Sequence, residues 1–353
     1  MEEKMKKKLL ATVMAGAMAL AMMTGCGSSE TAAPAAAPAE AEATEETAEA
    51  TEETTEAAAD GQTYKIGICQ LVQHEALDAA TKGFQDALTE KLGDAVTFDY
   101  QDAAGDSATC ATIVNGFVAD GVDLIMANAT PALQAASAAT TEIPILGTSV
   151  TDYATALEIA NWTGATGYNV SGTSDLAPLE EQAKMFTEIL PDAKTIGILY
   201  CSAEANSKYQ ADVVSAALEG LGLTVKIYTF ADTNDLQSVT QTACDECDAL
   251  YIPTDNAAAS ATETIDAVAL PAKTPIIAGE AGISNGCGIA TLSISYYDLG
   301  YVTGEMAYEV LVNGADISTM DVRFAASPEK KFVPSRCEEL GITVPDGYTA
   351  LEQ

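Results

Sequence analysis

The sequence predicts an α/β protein of two similar Rossmann-like lobes, each built around a parallel sheet. One strand–loop–helix pattern occurs twice, in the same order and at similar spacing. The corresponding segments are Thr63–Leu77 with Lys194–Lys208, Gly121–Ala136 with Cys247–Ala261, and Glu142–Ser149 with Lys273–Ala281. Strands that alternate with helices build parallel sheets, in which ligands lie beyond the carboxyl ends of the strands. We therefore expect a ligand-binding cleft between two lobes.

The N-terminus predicts export. The basic segment Lys4–Lys8 precedes the apolar segment Leu9–Met23, which is too short to span a bilayer comfortably and favours a signal peptide over a transmembrane helix. Met23-Thr24-Gly25-Cys26 resembles the lipobox of bacterial lipoproteins, in which the cysteine becomes the lipidated first residue. That resemblance implies a lipid anchor at the outer face of the bacterial cell membrane. The alternative is an ordinary signal peptide in which Cys26 is incidental.

Residues 27–62 predict a disordered acidic tether. They are rich in Ala, Glu, Thr, Ser and Pro and contain no aromatic or basic residue. Such a segment cannot bury enough apolar surface to offset the entropy lost on ordering. A flexible chain of this length reaches roughly 30–35 Å, so the tether would hold the following domain away from a membrane surface.

The rest of the chain, residues 63–353, is large for a single core and natural for two lobes of ordinary domain size. The net charge of −36 argues against nucleic acid and anionic membrane surfaces as partners, because no basic surface is available to bind them. A single histidine, His74, and the lack of G-x-S-x-G and Walker motifs argue against an enzyme. We expect no catalytic residues, no cofactor, no metal and a monomer.

Seven of the eight cysteines follow Cys26, so the chain cannot pair all of these seven internally. Cys244-Asp245-Glu246-Cys247 has the spacing of redox and metal motifs. However, it precedes the apolar strand Ala249–Pro253, whereas redox motifs normally begin a helix. We expect buried thiols or one structural disulfide, away from the cleft.

Polar loops follow the predicted strands. After Leu124–Ala127 come Asn128, Ala129, Thr130 and Pro131, in which Thr130 suits a helix N-cap and Pro131 the first helical position. The free N–H groups of such a helix start bind carboxylates well.

In the second half, Thr254-Asp255-Asn256 and Gly279-Glu280 add carboxylates at strand ends, and Ser202–Ser207 offers donors and acceptors. Each of these residues alone could simply cap a helix. Donors and carboxylates without a basic residue indicate a zwitterion, which among small nutrients means an amino acid.

The segment Ile66–Ala79 (IGICQLVQHEALDA) closely resembles the start of the tryptophan/tyrosine-type ABC transporter substrate-binding proteins. The resemblance continues at Asn128–Pro131, Gly172–Asp175, Tyr296–Gly300 and Leu340–Pro345. It implies a type I periplasmic binding protein fold with a three-strand hinge, an aromatic amino-acid ligand (tryptophan, tyrosine or phenylalanine), and an ABC permease with its ATPase as partners. The family usually has Glu-His-Pro where this chain has Gln73-His74-Glu75, which leaves the identity of the ligand open.

The family topology places the crossovers near Tyr168–Val170, Cys287–Ile289 and Arg323–Ala325. Lobe one would then comprise residues 63–168 and 289–323, and lobe two residues 169–288 and 324–353.

We expect the ligand carboxylate at Asn128–Thr130, with help from Asn206 and Ser207, and the ammonium group at Asp255 or Glu280. The ligand side chain would lie near Gln70 and His74, against tyrosines. The expected ligand-binding residues are Gln70, His74, Glu75, Asn128, Ala129, Thr130, Thr148, Ser202, Glu204, Asn206, Ser207, Thr254, Asp255, Asn256 and Glu280. The aromatic residues that could stack on the ligand, or pack in the core instead, are Tyr153, Trp162, Tyr168, Tyr200, Tyr209, Tyr296 and Tyr297.

Two alternatives remain at this stage. The same fold could bind another small solute, such as a branched amino acid, a nucleoside or a purine. The protein could also be a surface adhesin or sensor in which the pocket is secondary.

Overall fold

The computed structural model describes residues 61–324 and 328–351, all within one compact unit. The predicted signal peptide, Cys26 and the tether up to residue 60 lie outside the described residues. Among the residues described, no helix is both long and apolar enough to cross a membrane.

Thirteen strands and twelve α-helices alternate along this part of the chain. The strands are β1 Tyr64–Gln70, β2 Val96–Asp102, β3 Leu124–Asn128, β4 Ile145–Val150, β5 Val170–Ser174, β6 Thr195–Cys201, β7 Thr224–Phe230, β8 Ala249–Ile252, β9 Ile276–Ala278, β10 Ala290–Ser293, β11 Arg323–Phe324, β12 Glu329–Phe332 and β13 Thr349–Ala350. The helices are α1 Glu75–Leu92, α2 Ser107–Asp120, α3 Thr130–Ala139, α4 Tyr153–Ala156, α5 Leu179–Ile189, α6 Ala205–Gly220, α7 Thr233–Glu246, α8 Asn256–Ala259, α9 Thr262–Ala272, α10 Ala281–Cys287, α11 Tyr296–Leu311 and α12 Pro334–Leu340.

The strands form two sheets with the same internal order. The first runs β11-β5-β4-β3-β1-β2 and is parallel throughout. The second runs β13-β12-β10-β9-β8-β6-β7, in which only the β10–β12 pair is antiparallel. The orders 2-1-3-4-5 and 7-6-8-9-10 are equivalent, so the two-lobed α/β fold predicted from the repeated segments is confirmed.

The first crossover lies one strand later than expected. It was predicted near Tyr168–Val170, but β5 still pairs in parallel with β4 in the first sheet. Gly172 permits this pairing, because a Cβ at its position would overlap the backbone of Gly147. The chain therefore changes lobe between Ser174 and Leu179.

The second crossover is displaced in the same way. Instead of crossing at Cys287–Ile289, the chain first adds β10 to the second sheet, beside β9. It then crosses to α11, which packs against α1 of the first lobe. The third change of sheet falls between Phe324 and Glu329. Lobe one is thus residues 64–174 and 296–324, and lobe two is residues 179–293 and 328–351.

Helices cover both faces of each sheet, and this determines the position of the core. Every residue of the central strands β3, β4 and β8 is buried, as expected for parallel strands between two helical layers. Buried apolar clusters lie on either face of each sheet. The rigid strands therefore position the loops at their carboxyl ends.

Helices α1 and α11 pack with almost no space between their backbones. A Cβ at Gly300 of α11 would overlap the carbonyl oxygen of Ala80, and one at Gly83 of α1 would overlap that of Tyr297. The GxxxG spacing of Gly300 and Gly304 therefore serves close helix packing, as the sequence suggested.

Replacing Gly300 with alanine should destabilise the protein by about 3 kcal/mol, because the added methyl group meets backbone that cannot move aside. Gly116 in α2 provides the control, since nothing lies within 4 Å of its added Cβ. Gly116→Ala should be neutral or stabilise by up to about 1 kcal/mol through its helix propensity. Urea unfolding would compare the two, and equal effects would contradict this account of the helix packing.

Candidate functional site

The carboxyl ends of the two sheets face each other, and the loops there are in contact. His74 Nε2 lies 3.2 Å from Asn256 Oδ1, and Gln210 Nε2 donates to Thr151 Oγ1 at 3.2 Å. Both contacts join lobe one to lobe two. The lobes are therefore closed on each other around a polar cleft.

The lobe-one side of the cleft is the start of α3. Thr130 was expected to cap this helix, but it is the first helical residue, and Ala129 occupies the N-cap without a side-chain cap. The reason is that the Ala129 N–H still bonds to Thr148 O in the sheet at 3.0 Å, so the chain must turn at Ala129 itself.

Ala129 adopts φ 89° and ψ 158°, a conformation that is nearly restricted to glycine and is strained for other residues. This turn places the uncapped N-terminus of α3 at the carboxyl end of the sheet, beside the cleft. Thr130 Oγ1 and Asn128 Oδ1 have no hydrogen-bond partner among the described residues. The cleft thus has free donors and an acceptor on this side.

The lobe-two side begins at α6, whose N-cap residue, Glu204, does not cap its own helix. Its carboxylate instead accepts from Asn256 N at 3.1 Å, Asn256 Nδ2 at 2.6 Å and Ala257 N at 2.9 Å. Asn206 Nδ2 also donates to it at 3.1 Å. Glu204 therefore fixes the start of α8 and leaves the N-terminus of α6 uncapped, with Asn206 and Ser207 buried in its first turn.

Two buried carboxylates cap the neighbouring helices. Asp255 accepts from Ala258 N at 2.8 Å and Cys201 N at 2.7 Å, and Glu280 accepts from Gly282 N and Ile283 N. Burial raises the pKa of each group to about 7, and the negative charge of Glu204 adds to the effect on Asp255. None of the ion pairs within residues 61–324 and 328–351 includes either carboxylate.

The hydrogen bonds around Asn256 define the protonation of His74. Because Asn256 Nδ2 donates to Glu204, its Oδ1 faces His74, and His74 Nε2 must carry the proton. Burial lowers the pKa of His74, so the neutral ring is favoured. This contact between residues 182 apart in sequence joins the two lobes directly.

Several predicted ligand residues have structural partners instead. The Gln70 amide bonds to Val72 O, Asp78 and Thr81 within lobe one, so it holds β1 against α1. Thr148 bonds to Thr173, 3.2 Å away.

Three more predicted ligand residues, which are exposed or half-buried, also have hydrogen-bond partners within the protein. Ser202 is exposed and bonds to Phe230 O. Glu75 is also exposed and faces Asn285 of lobe two at 3.4 Å. Thr254 is half-buried, and its carbonyl oxygen accepts from Asn206 at 2.9 Å.

The predicted aromatic residues are mostly core residues. Tyr153 and Trp162 stack on each other within lobe one at 6.4 Å between ring centroids. Tyr297 is exposed and bonds to Asp86 on α1. Tyr296 lies at the cleft, because it begins α11 at the second crossover and its hydroxyl donates to Asp175 at 2.9 Å. Tyr168 is exposed, and Tyr200 and Tyr209 pack in the lobe-two core.

Sequence reasoning missed Thr151, Asp175 and Gln210 as cleft residues, and it named Tyr296 only as a residue that could stack on the ligand or pack in the core. All four are buried. Asp175 follows β5 directly, and Tyr296 follows β10 closely. Both therefore fit the pattern that predicted the other cleft residues, namely a polar side chain after a strand. The displaced crossovers concealed it.

A cavity of about 260 Å³ lies between the lobes beside the starts of α3 and α6. Its lining includes Leu71, Val72 and Pro131 from lobe one and Ala203 and Ala257 from lobe two, and it contains no aromatic side chain among the residues described. The cavity can therefore accept an apolar group next to the uncapped helix starts.

Of the cysteines, Cys201 lines this cavity, whereas Cys244 and Cys247 lie apart from it. The seven described cysteines are free thiols, so no disulfide joins Cys244 to Cys247 in the structure. These two lie at the end of α7 and just before β8, at the opposite edge of the sheet from the cleft. In the part of the chain that the structure describes, no group of three or more His, Cys, Asp or Glu side chains is placed to hold a metal ion.

Comparisons with known proteins agree with this architecture. Residues 65–351 match the family model for ABC transporter substrate-binding proteins. A tyrosine-binding protein from Clostridioides difficile is 38% identical over 263 residues, which are 72% of this chain and 76% of that protein.

Two solved structures are also similar. A complex with L-Trp from Streptococcus pneumoniae has 33% identity and a TM-score of 0.78, covering 82% of this chain and 100% of that one. A ligand-free, open substrate-binding protein with adhesive properties from Clostridium difficile has 36% identity and a TM-score of 0.62 with the same coverage. The higher TM-score with the L-Trp complex, despite lower identity, agrees with the contact between the lobes seen here. The chain belongs to the ABC transporter substrate-binding protein family.

Proposed function

We propose that this protein captures an aromatic amino acid, namely tryptophan, tyrosine or phenylalanine, by closure of its two lobes. Proteins of this family work outside the cytoplasm with an ABC permease. The protein would act as a monomer and transfer its ligand to a permease driven by its ATPase.

One observation carries the zwitterionic part of the proposal. The cleft combines two uncapped helix N-termini, those of α3 and α6, with buried carboxylates that have no basic partner. The helix starts favour an anion such as an α-carboxylate, and the acidic groups favour an ammonium group. A zwitterion such as an amino acid carries both charged groups, so it can bind the helix starts and the acidic groups at once.

The aromatic part rests on the relatives and on the cavity. One relative is described as tyrosine-binding and another was solved with L-Trp. The cavity beside α3 offers apolar contacts to a side chain near the proposed carboxylate position. Stacking on a tyrosine, which we expected from the sequence, is not part of the proposal at this cavity.

A thermal-shift screen tests the proposal against the other small solutes that the fold could bind. A ligand at 100 times its Kd should add about 2.7 kcal/mol to the free energy of unfolding. We expect this for at least one aromatic amino acid. A shift only with a branched amino acid, a nucleoside or a purine would contradict the proposal.

A second candidate function is adhesion, because the open relative has adhesive properties. Binding of the purified protein to host cells or matrix, unaffected by saturating amino acid, would support this function. Such a result would not affect the ligand proposal, since the two surfaces would be separate.

We further propose that a lipid on Cys26 anchors the protein at the outer face of the cell membrane. Cys26→Ala should move the protein from the membrane fraction into the medium or periplasm, because alanine has no thiol to which the lipid can be attached. Cys244→Ser is the control and should remain in the membrane fraction. Retention of the Cys26→Ala protein in membranes washed with high salt would show that the anchor lies elsewhere.

A further inference from the structure

We infer that Asp175 binds the ammonium group of the ligand directly, and that it does so at the hinge between the lobes. The inference rests on the proposed function, since it assumes that the ligand is an amino acid. It assigns the ammonium contact to a residue other than Asp255 and Glu280, which the sequence favoured.

The position of Asp175 is the first reason. It follows β5 at the first crossover, and Tyr296 begins α11 just after the second crossover. Tyr296 Oη donates to Asp175 Oδ2 at 2.9 Å, which joins two of the three connections between the lobes. Asp175 is 4% exposed, so a group bound to it would be enclosed by closure.

The second reason is hydrogen-bond capacity. The other buried carboxylates of the cleft, Glu204, Asp255 and Glu280, each use both oxygens to accept from backbone N–H groups. Asp175 Oδ1, in contrast, is buried and has no partner among the described residues. A buried carboxylate oxygen without a donor is costly, and an ammonium group would supply both a donor and the opposite charge.

The third reason is the local charge. Burial raises the pKa of Asp175, although the Tyr296 and Thr151 hydroxyls oppose this effect. The negative charge of Asp175 in turn contributes to the raised pKa of Glu280 in lobe two. Among the described residues, no ion pair involves Asp175.

These observations connect ligand binding to closure. Without a ligand, closure brings the carboxylates of Asp175 and Glu280 together without a cation, which disfavours the closed state. An ammonium group on Asp175 would offset that repulsion and favour closure. The contact between the ammonium group and Asp175 therefore stabilises the closed state more than the open state, which is what a ligand must do to shift the equilibrium toward closure.

The test compares two ligands on one variant. Asp175→Asn keeps the size of the side chain and removes the charge. For the aromatic L-amino acid that the wild-type protein binds, we expect at least a tenfold loss of affinity by calorimetry. For the analogue that lacks the amino group, such as indole-3-propionate for tryptophan, we expect unchanged or tighter binding.

Asp152→Asn is the matched control, because Asp152 caps α4 through the Thr155 N–H and contacts no group assigned to the ligand. It should bind both ligands as the wild-type protein does. If Asp175→Asn does not fold, as judged by circular dichroism, Asp175→Ser provides the same comparison.

The outcomes separate the inference from the proposed function. Normal binding of the amino acid by Asp175→Asn, or equal losses for both ligands, would overturn the inference and leave the proposed function intact. Failure of the wild-type protein to bind any amino acid would contradict the proposed function, and the inference with it.

Discussion

Replacing Glu204 with alanine is expected to destabilise lobe two by about 3 kcal/mol or more and to weaken ligand binding at least tenfold. The variant leaves the backbone N–H groups of Asn256, which is buried, and of Ala257, which is half-buried, without acceptors. A buried N–H group without an acceptor costs about 1–3 kcal/mol. It also releases Asn256, which contacts His74 across the cleft. Urea unfolding and calorimetry would measure the two effects.

Glu219→Ala is the control for this experiment. Glu219 is exposed near the C-terminal end of α6, so its loss should change stability by less than about 0.5 kcal/mol. Equal stability of the two variants would show that Glu204 does not hold the start of α8.

Ligand affinity is expected to rise about tenfold between pH 6 and pH 8 if one carboxyl group loses its proton on binding. Asp255 and Glu280, with pKa values of about 7 in the ligand-free protein, are the groups concerned, because they share the cleft with Asp175, to which we assign the ammonium contact. A bound ammonium group favours their ionised forms and lowers their pKa values, so binding releases protons near neutral pH. Titration in buffers of different ionisation enthalpy would count these protons.

The same groups give the opposite trend for the stability of the ligand-free protein. Their pKa values are raised on folding, so their contribution to stability is fully present below the unfolded pKa and is lost as the pH rises through about 7. The analogue without an amino group provides the control, because it should not gain affinity at pH 8. Binding of the amino acid that does not depend on pH and releases no proton would contradict the placement of its ammonium group near these carboxylates.

The sequence was sufficient to predict the fold because the evidence for it is local. Each repeated segment contains its own strand, loop and helix, so the two lobes follow from periodicity and spacing. The boundaries were harder to predict, because the short strands β5 and β10 join a sheet through pairing with β4 and β9. That pairing depends on contacts such as the close approach at Gly172, which no local pattern reveals.

The site was predicted in part, because some of the evidence for it is also local in the sequence. Polar residues after strands identified Thr130, Glu204, Asp255 and Glu280, all of which are buried at the cleft. Their hydrogen-bond partners could not be predicted, since Glu204 accepts from residues more than fifty positions away. The pair of Asp175 and Tyr296, 121 residues apart, likewise becomes visible only in the folded chain.

Closure accounts for the use of two lobes rather than one. The proposed carboxylate site has donors from α3 in lobe one and α6 in lobe two, whereas the acidic groups lie in lobe two and, at Asp175, in the first crossover. A ligand can satisfy both sets only when the lobes meet, with the three crossovers acting as the hinge. Neither lobe alone should therefore bind the ligand well.

Calorimetric titration of the purified protein with L-tryptophan, L-tyrosine and L-phenylalanine tests the central claim most directly. We expect at least one of the three to bind with one-to-one stoichiometry and a Kd in the micromolar range or tighter, about −8 kcal/mol or more favourable. The absence of binding for all three, in a protein that unfolds cooperatively and binds another solute, would contradict the claim that the cleft captures an aromatic amino acid.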